Sequence, residues 1–168
     1  AQTISSILQG FRVRDVSHLP TTEEILLFAG RALFEDQYIN NIENVVQAII
    51  EREKIGGLGI PGTEMALFHA RSSSVIKSSF TIYTVSKPLG VVGMDQAPMD
   101  MKVLLLMLSP EEATERELEV LSYLSSVLIE SDESISVFQS NNQDRIVTLL
   151  TSKFDQFFNE KLKEIRGV

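Results

Sequence analysis

The chain has 168 residues, 43% of them hydrophobic, and a mass of 18.8 kDa, which fits one globular domain with a sizeable core. Its formal net charge of −8 means that the domain as a whole is repelled by nucleic acid and by anionic membranes. The absence of cysteine excludes disulfides, thiolate nucleophiles and zinc–thiolate centres. We therefore expect a cytoplasmic domain with no direct nucleic acid contact and no membrane insertion. Because the sequence starts at Ala1 and not at Met, we interpret it as a processed product or as a piece of a longer protein.

Residues 1–20 show no clear periodicity and are interpreted as a leader or linker remnant, which leaves residues 21–168 as the domain. Within them, Ile4, Ile7, Leu8 and Phe11 fall at helical spacing and leave a short leading helix as the alternative. Thr21 and Glu24 form the pattern of a capping box and predict a helix of about 12 residues. A second helix follows Asn40, because its apolar residues recur at helical spacing, and it ends at Gly56.

The middle of the chain changes to short apolar runs, which predict strands over Met65–Ala70, Phe80–Val85 and Lys102–Leu108. These runs are apolar at consecutive positions, so the sheet is expected to be covered on both faces. The sequence thus predicts a single α/β domain whose small mixed β-sheet is flanked by helices on both faces.

Three helices are predicted to complete the domain. The first has Ser109 as its N-cap and Pro110 at its first position. A short helix spans residues 131–140, and a final amphipathic helix is capped by Asn142.

Few residues in this chain could carry chemistry. The two histidines form no metal-binding spacing, and the glycines of residues 56–62 match no phosphate-binding loop, so we expect neither a metal nor a cofactor. His69 stands at the end of the first predicted strand. A neutral imidazole can accept a phosphoryl group, but a polar residue at a strand end is equally compatible with a structural role. The residues alone leave both interpretations open.

The string Gly57–Arg71, with Arg52 upstream in Glu51-Arg52-Glu53, resembles the phosphoacceptor region of mannitol/fructose-type EIIA domains. These are components of the bacterial phosphoenolpyruvate-dependent sugar phosphotransferase system (PTS). The variant Gly-Leu-Gly-Ile-Pro-Gly-Thr-Glu-Met-Ala-Leu-Phe-His-Ala-Arg is more similar to the C-terminal EIIA-like domain of mannitol-operon activators of the MtlR type, which also carry PRD domains.

The resemblance implies a role for each matching residue. His69 would be the phosphoacceptor, and Arg52 would pair with the phosphoryl oxygens, although a cation at a helix end also favours the helix dipole. Glu64 would orient Arg52 or the imidazole, or would be a solvated loop carboxylate. The rim around His69 would then contact partners through Leu58, Ile60 and Phe68.

The chain departs from the family pattern at two positions. Phe68 stands where proline usually precedes the histidine, and Glu117 stands where mannitol-type transport domains carry a second histidine. A carboxylate there could raise the basicity of His69 but would repel the incoming phosphoryl group, or it could simply lie on a solvated helix face.

The resemblance implies a phosphoryl-accepting EIIA domain, which we interpret as the regulatory domain of a sugar-operon transcriptional activator. The alternatives are an EIIA carrier, which acts as a phosphotransferase between HPr and the EIIB of a sugar permease, and a non-catalytic interaction domain on the same fold. HPr, EIIB and other domains of a parent regulator are the expected partners.

Overall fold

The computed structural model describes residues 2–167, which form six α-helices and four β-strands. In chain order they are α1 (Gln2–Gly10), β1 (Val13–Asp15), α2 (Thr22–Glu35), α3 (Ile42–Ile55), β2 (Met65–Ser72), β3 (Ser79–Val92), β4 (Pro98–Pro110), α4 (Glu115–Leu128), α5 (Asp132–Phe138) and α6 (Gln143–Arg166).

The four strands form one sheet in the order β1-β3-β4-β2. β1 is parallel to β3, β3 is antiparallel to β4, and β4 is parallel to β2. The predicted mixed sheet is therefore confirmed, and β2 lies at one of its edges.

Both faces of the sheet are buried, which explains why the strands are apolar at consecutive positions. Met65 and Leu67 of β2 pack in a core with residues of α1, α4, α5 and α6. Ala66 and Phe68 face the opposite way, into a second core formed with α2 and α3. Successive side chains of a strand alternate between faces, so both parities must be apolar in a sheet of this kind.

The first 20 residues differ from the predicted leader or linker, because residues 2–16 are part of the fold. Ile7 of α1 and Phe11 are 0% and 1% exposed. Tyr38 holds α1 in place, since its hydroxyl donates to the carbonyl oxygen of Ser6 at 2.6 Å. The predicted boundary at residue 20 therefore does not mark a structural boundary.

The predicted caps at Thr21 and Asn142 are confirmed, because their side chains accept hydrogen bonds from backbone N–H groups in the first turns of α2 and α6. Ser131 caps α5 in the same way. The predicted N-cap at Ser109 is wrong, because β4 continues to Pro110 and the following helix starts at Glu115. Sheet pairing of residues 108–110 overrides the local capping signal.

The hairpin of β3 and β4 extends well beyond the predicted strands. Its tip reaches the loop after α3, where Leu58 N–H and Gly59 N–H both donate to the carbonyl oxygen of Val92, at 3.0 and 2.9 Å. Among residues 2–167, no helix combines the length and the apolar character needed to cross a membrane.

Candidate functional site

The outer edge of β2 is where the structure brings the predicted histidine and arginine together. A short segment, Leu58–Ile60, covers the first half of this edge. Leu67 N–H donates to the carbonyl oxygen of Leu58, and Ile60 N–H donates to that of Met65, both at 2.9 Å. The segment connects directly to the end of α3, so it fixes the last turn of that helix beside β2.

Gly57 allows this loop to lie close to the hairpin tip. A Cβ atom at residue 57 would lie 1.9 Å from the carbonyl oxygen of Gly93, far inside van der Waals contact. Only glycine fits the observed backbone at this position. The path from Arg52 to β2 therefore depends on a close contact between two backbones.

His69 is partly buried in β2, opposite Met107 of β4. Strand β2 continues three residues beyond it to Ser72, so the imidazole lies within the strand and not at its predicted end. Burial lowers the pKa of His69, and the positive charge of Arg52 lowers this pKa further. Both causes favour the neutral imidazole, whose unprotonated nitrogen is a nucleophile.

Arg52 lies in the last turn of α3, close enough to His69 for its charge to act on the imidazole. Its Nη1 atom is buried and has no hydrogen-bond partner among the described residues. A buried guanidinium nitrogen normally bonds to a carboxylate, a carbonyl oxygen or another anion. The unpaired Nη1 atom is therefore a candidate hydrogen-bond donor to an anionic group at this edge of the sheet.

The backbone of His69 also faces this edge. Leu67 N–H points outward to Leu58, and residues two apart in a strand direct their N–H groups to the same side. A neutral nucleophile, a partly buried cation and an outward N–H group thus share one edge, which is an arrangement suited to accepting a phosphoryl group.

Comparison with known proteins agrees with this arrangement. Residues 6–153 match the sequence profile of the family described as phosphoenolpyruvate-dependent sugar phosphotransferase system, EIIA 2. The chain belongs to this family. The MtlR transcriptional regulator of Streptococcus mutans is 31% identical over 111 residues, which are 66% of this chain and 16% of that protein. This EIIA domain therefore spans about a sixth of the relative's length.

Solved structures of EIIA proteins share the fold. The nitrogen regulatory protein IIA-Ntr of Neisseria meningitidis has a TM-score of 0.67 at 23% identity, covering 85% of this chain and 94% of that one. The mannitol enzyme IIA of Escherichia coli, in its complex with phosphorylated enzyme IIB, has a TM-score of 0.62 at 20% identity, covering 84% and 99%. The predicted mannitol-type EIIA fold is confirmed.

The structure places Glu64 apart from the other predicted site residues of the EIIA domain. Glu64 precedes β2, five residues before His69, which corresponds to roughly 16 Å of extended strand. Its carboxylate Oε2 lies 3.9 Å from Lys102 Nζ, and its side chain is 55% exposed. It makes no contribution to the lowered pKa of His69. This placement matches the solvated carboxylate and not the orienting residue.

Glu117 forms hydrogen bonds at the start of α4. Its Oε1 atom accepts a hydrogen bond from Thr114 N–H, which closes a capping box, and its Oε2 atom accepts one from the hydroxyl of Ser78. The causes that lower the pKa of His69 are burial and the charge of Arg52. Glu117 occupies its position mainly as a structural residue.

The predicted apolar rim of Leu58, Ile60 and Phe68 is wrong. These three side chains are 1%, 7% and 0% exposed, because each packs into one of the two cores. The exposed apolar side chains near the loop after α3 are instead Ile55 and, on the hairpin tip, Val92 and Met94. The sequence does not show that residues 58–60 pair with the edge of β2, and it therefore does not indicate that Leu58 and Ile60 are buried.

Among residues 2–167, no group of three or more histidine, aspartate and glutamate side chains is placed to hold a metal ion.

Proposed function

We propose that this EIIA domain accepts a phosphoryl group on His69, with Arg52 compensating its charge, and that the modification regulates a sugar-operon transcriptional activator. The unpaired, buried Nη1 of Arg52 beside a neutral imidazole is the observation that carries the proposal. In the absence of a ligand such a nitrogen is costly, and an anion at His69 would satisfy it.

The transfer needs no cofactor. The lone pair of the unprotonated imidazole nitrogen attacks phosphorus of a phosphorylated PTS protein, HPr or EIIB. A new N–P bond forms on His69 while the bond from phosphorus to the donor atom breaks, and its electron pair stays on the donor. Arg52 balances the charge of the transferred oxygens, and the fold contributes position more than covalent chemistry.

The regulatory role is supported by the chain's similarity to MtlR and by the state of Glu117. A carrier must receive and release its phosphoryl group quickly, and a second imidazole would assist both steps. Here the corresponding side chain is a carboxylate held by Thr114 and Ser78. A sensor needs only one slow modification, for which His69 and Arg52 suffice.

The test is to incubate the EIIA domain with phosphoenolpyruvate, enzyme I and HPr, with and without EIIB, and to record intact mass. We expect a gain of about 80 Da that is acid-labile and absent in His69→Ala. His18→Ala is the matched control, because His18 is the other histidine of the chain and is exposed. This variant should be phosphorylated like the wild type.

The outcome also separates the three possible functions. Labelling that requires EIIB supports the regulator, in which a permease component reports sugar supply. Rapid onward transfer from the phosphorylated domain to EIIB supports the carrier. No labelling under any combination, or labelling that survives in His69→Ala, overturns the proposal and leaves an interaction domain.

A further inference from the structure

Arg71 is a cation on the same strand as His69, and the function proposed above does not use it. The two residues lie two positions apart in β2, so their side chains project to the same face of the sheet, with Cα atoms roughly 7 Å apart. Met65 and Leu67 share this face, which is the one on which α4 packs. A guanidinium on a stem of three methylene groups covers such a distance. Arg71 can therefore reach a group bound to His69.

The guanidinium of Arg71 has a neutral partner in the structure. Its Nη2 atom donates a hydrogen bond, at 2.9 Å, to the backbone carbonyl oxygen of Glu111, which follows the end of β4. Among residues 2–167, no carboxylate lies within ion-pair distance of Arg71. The residue is also exposed, so its side chain can reorient. Arg71 thus brings a positive charge to the edge of β2 that no negative charge compensates.

The bond from Arg71 helps to hold the loop of residues 111–114, which connects β4 to α4. A second bond runs from Glu111 N–H to the carbonyl oxygen of Ser72, at 3.1 Å. Both bonds tie the start of the loop to the end of β2. The loop carries Glu111 and Glu112, which are exposed, and leads into α4. Its position and its electrostatic environment therefore depend on where the Arg71 side chain lies.

A phosphoryl group on His69 is a stronger attraction for Arg71 than this carbonyl oxygen. It carries a charge of about −1.5 to −2 at neutral pH and three acceptor oxygens. Arginine binds phosphate through two parallel hydrogen bonds, to which the attraction between opposite charges adds. Arg52 supplies one positive charge from α3, which packs on the opposite face of the sheet. One unit leaves part of the phosphoryl charge uncompensated, and Arg71 is placed to balance it from the α4 side.

We propose that Arg71 acts as a switch: when His69 is phosphorylated, its guanidinium leaves the carbonyl oxygen of Glu111 and binds the phosphoryl oxygens. The inference rests on the phosphorylation of His69 proposed above and states how the modification is transmitted. The β4–α4 loop loses a tie to β2 and a neighbouring positive charge, so Glu111 and Glu112 become more mobile and less compensated. The two positions of Arg71 differ in a contact that exists only after phosphorylation, as a population shift requires.

The test compares the wild type, Arg71→Gln and Arg145→Gln after incubation with phosphoenolpyruvate, enzyme I and HPr, with and without EIIB. Intact mass measures phosphorylation, and amide NMR spectra follow the backbone N–H groups of residues 111–113. In the wild type, we expect these resonances to shift when His69 is phosphorylated. In Arg71→Gln, which loses the charge but keeps a polar side chain, the shift should be lost.

Arg145→Gln is the matched control, because it makes the same change in charge at an exposed site. Arg145 lies in the first turn of α6, beside Gln143, which contacts β1 at the opposite edge of the sheet. This variant should show the loop shifts of the wild type. Thermal melts check that each variant folds.

Phosphorus NMR of the phosphohistidine against pH tests the contact itself. Removal of a nearby cation disfavours the doubly ionised form, so the pKa of the phosphoryl group should rise in Arg71→Gln and stay unchanged in Arg145→Gln. If Arg71→Gln takes no phosphoryl group, Arg71→Lys decides, because it retains the charge. Phosphorylation of Arg71→Lys supports the contact, and its absence overturns it.

The outcomes distinguish this inference from the proposed function. Loop shifts or a phosphoryl pKa that are equal in the wild type and Arg71→Gln overturn the switch and leave the phosphorylation of His69 intact. No gain in mass in the wild type overturns the proposed function and, with it, this inference.

Discussion

The edge of β2 and the start of α4 both present polar side chains of the predicted site, but they differ in hydrogen bonding. At the start of α4, Glu117, Thr114 and Ser78 satisfy one another. At the edge of β2, Arg52 Nη1 is buried without a partner beside His69. Satisfied polar groups stabilise a fold, whereas a buried unsatisfied one is costly and marks a place where a ligand completes the bonding. The comparison therefore distinguishes the edge at which we propose phosphorylation from a helix cap whose polar groups are already paired.

The largest expected effect comes from disturbing the close backbone contact of Gly57 with Gly93, which positions the loop at the edge of β2. We expect Gly57→Ala to lower the free energy of unfolding by about 3 kcal/mol, because the new Cβ meets a backbone oxygen that cannot move independently. Phosphorylation should fall in parallel, since the loop positions Arg52. Urea unfolding measures the first effect. Gly90→Ala, whose Cβ would meet no atom within 4 Å, is the control and should unfold like the wild type.

Arg52→Ala should separate activity from stability. Loss of charge-assisted hydrogen bonds to the phosphoryl oxygens should slow phosphorylation about 100-fold, equivalent to about 2.7 kcal/mol. The melting temperature should stay the same or rise, because the variant removes a buried guanidinium nitrogen that has no hydrogen-bond partner. Initial rates by intact mass and thermal melts provide both values.

Arg52→Lys is the matched variant for this prediction, since it keeps the charge and loses the planar guanidinium. Its rate should lie between those of Arg52→Ala and the wild type. Equal losses of stability and rate in Arg52→Ala would show that Arg52 is structural, and the contrast between the two regions would fail.

Thr114→Ala should show the opposite behaviour. Removal of the N-cap hydroxyl from α4 should cost about 1 kcal/mol of stability. The phosphorylation rate should remain within about twofold, an energy difference below the 1.4 kcal/mol of a tenfold change. Thr114→Ser keeps the cap and should recover the stability. A large loss of phosphorylation rate in Thr114→Ala would indicate that the start of α4 contributes to phosphorylation.

The smallest expected effect is on the titration of His69. The pKa of His69 in the fold lies below the usual value of 6.5 for histidine, so the unfolded chain binds the proton first as the pH falls. Stability is therefore complete above about pH 6.5 and declines below it, until the folded imidazole is also protonated. Arg52→Ala should raise the pKa of His69 only in part, because burial is the larger cause.

The imidazole proton resonances of His69, followed by NMR against pH, measure this pKa in both proteins. The urea-unfolded chain supplies the reference titration. A pKa of His69 that is unchanged in Arg52→Ala would show that the guanidinium does not act on the imidazole.

Local sequence signals predicted much of the fold because they depend on neighbours within a few residues. The caps at Thr21 and Asn142 and the end of α3 at Gly56 are of this kind. Strand positions followed from apolar runs, and burial on both sheet faces followed from their lack of alternation. The start of α4 was misplaced because pairing of β4 with its neighbours extends the strand through Ser109 and Pro110.

Residues 1–20 show a second limit of sequence interpretation. The helical spacing of Ile4, Ile7, Leu8 and Phe11 was compatible with a short helix but did not show that it belongs to the core. The place of α1 in the fold depends on Tyr38, which lies 32 residues away from Ser6. Long-range contacts of this type carry no local signature. For the same reason, the sequence predicted an exposed apolar rim of Leu58, Ile60 and Phe68. In the structure the exposed apolar residues near the site are Ile55, Val92 and Met94.

The sequence by itself determined the fold class, since apolar periodicity and spacing carry that information, and its resemblance to EIIA domains made Arg52 and His69 the candidate pair. Only the tertiary structure decided which polar residues share a site. In the fold, Arg52 Nη1 has no hydrogen-bond partner, and its charge favours the neutral form of His69. Glu64 lies before β2 and near Lys102, and Glu117 closes the capping box of α4. Hydrogen-bond satisfaction depends on distances between distant segments, and these exist only once the chain is folded.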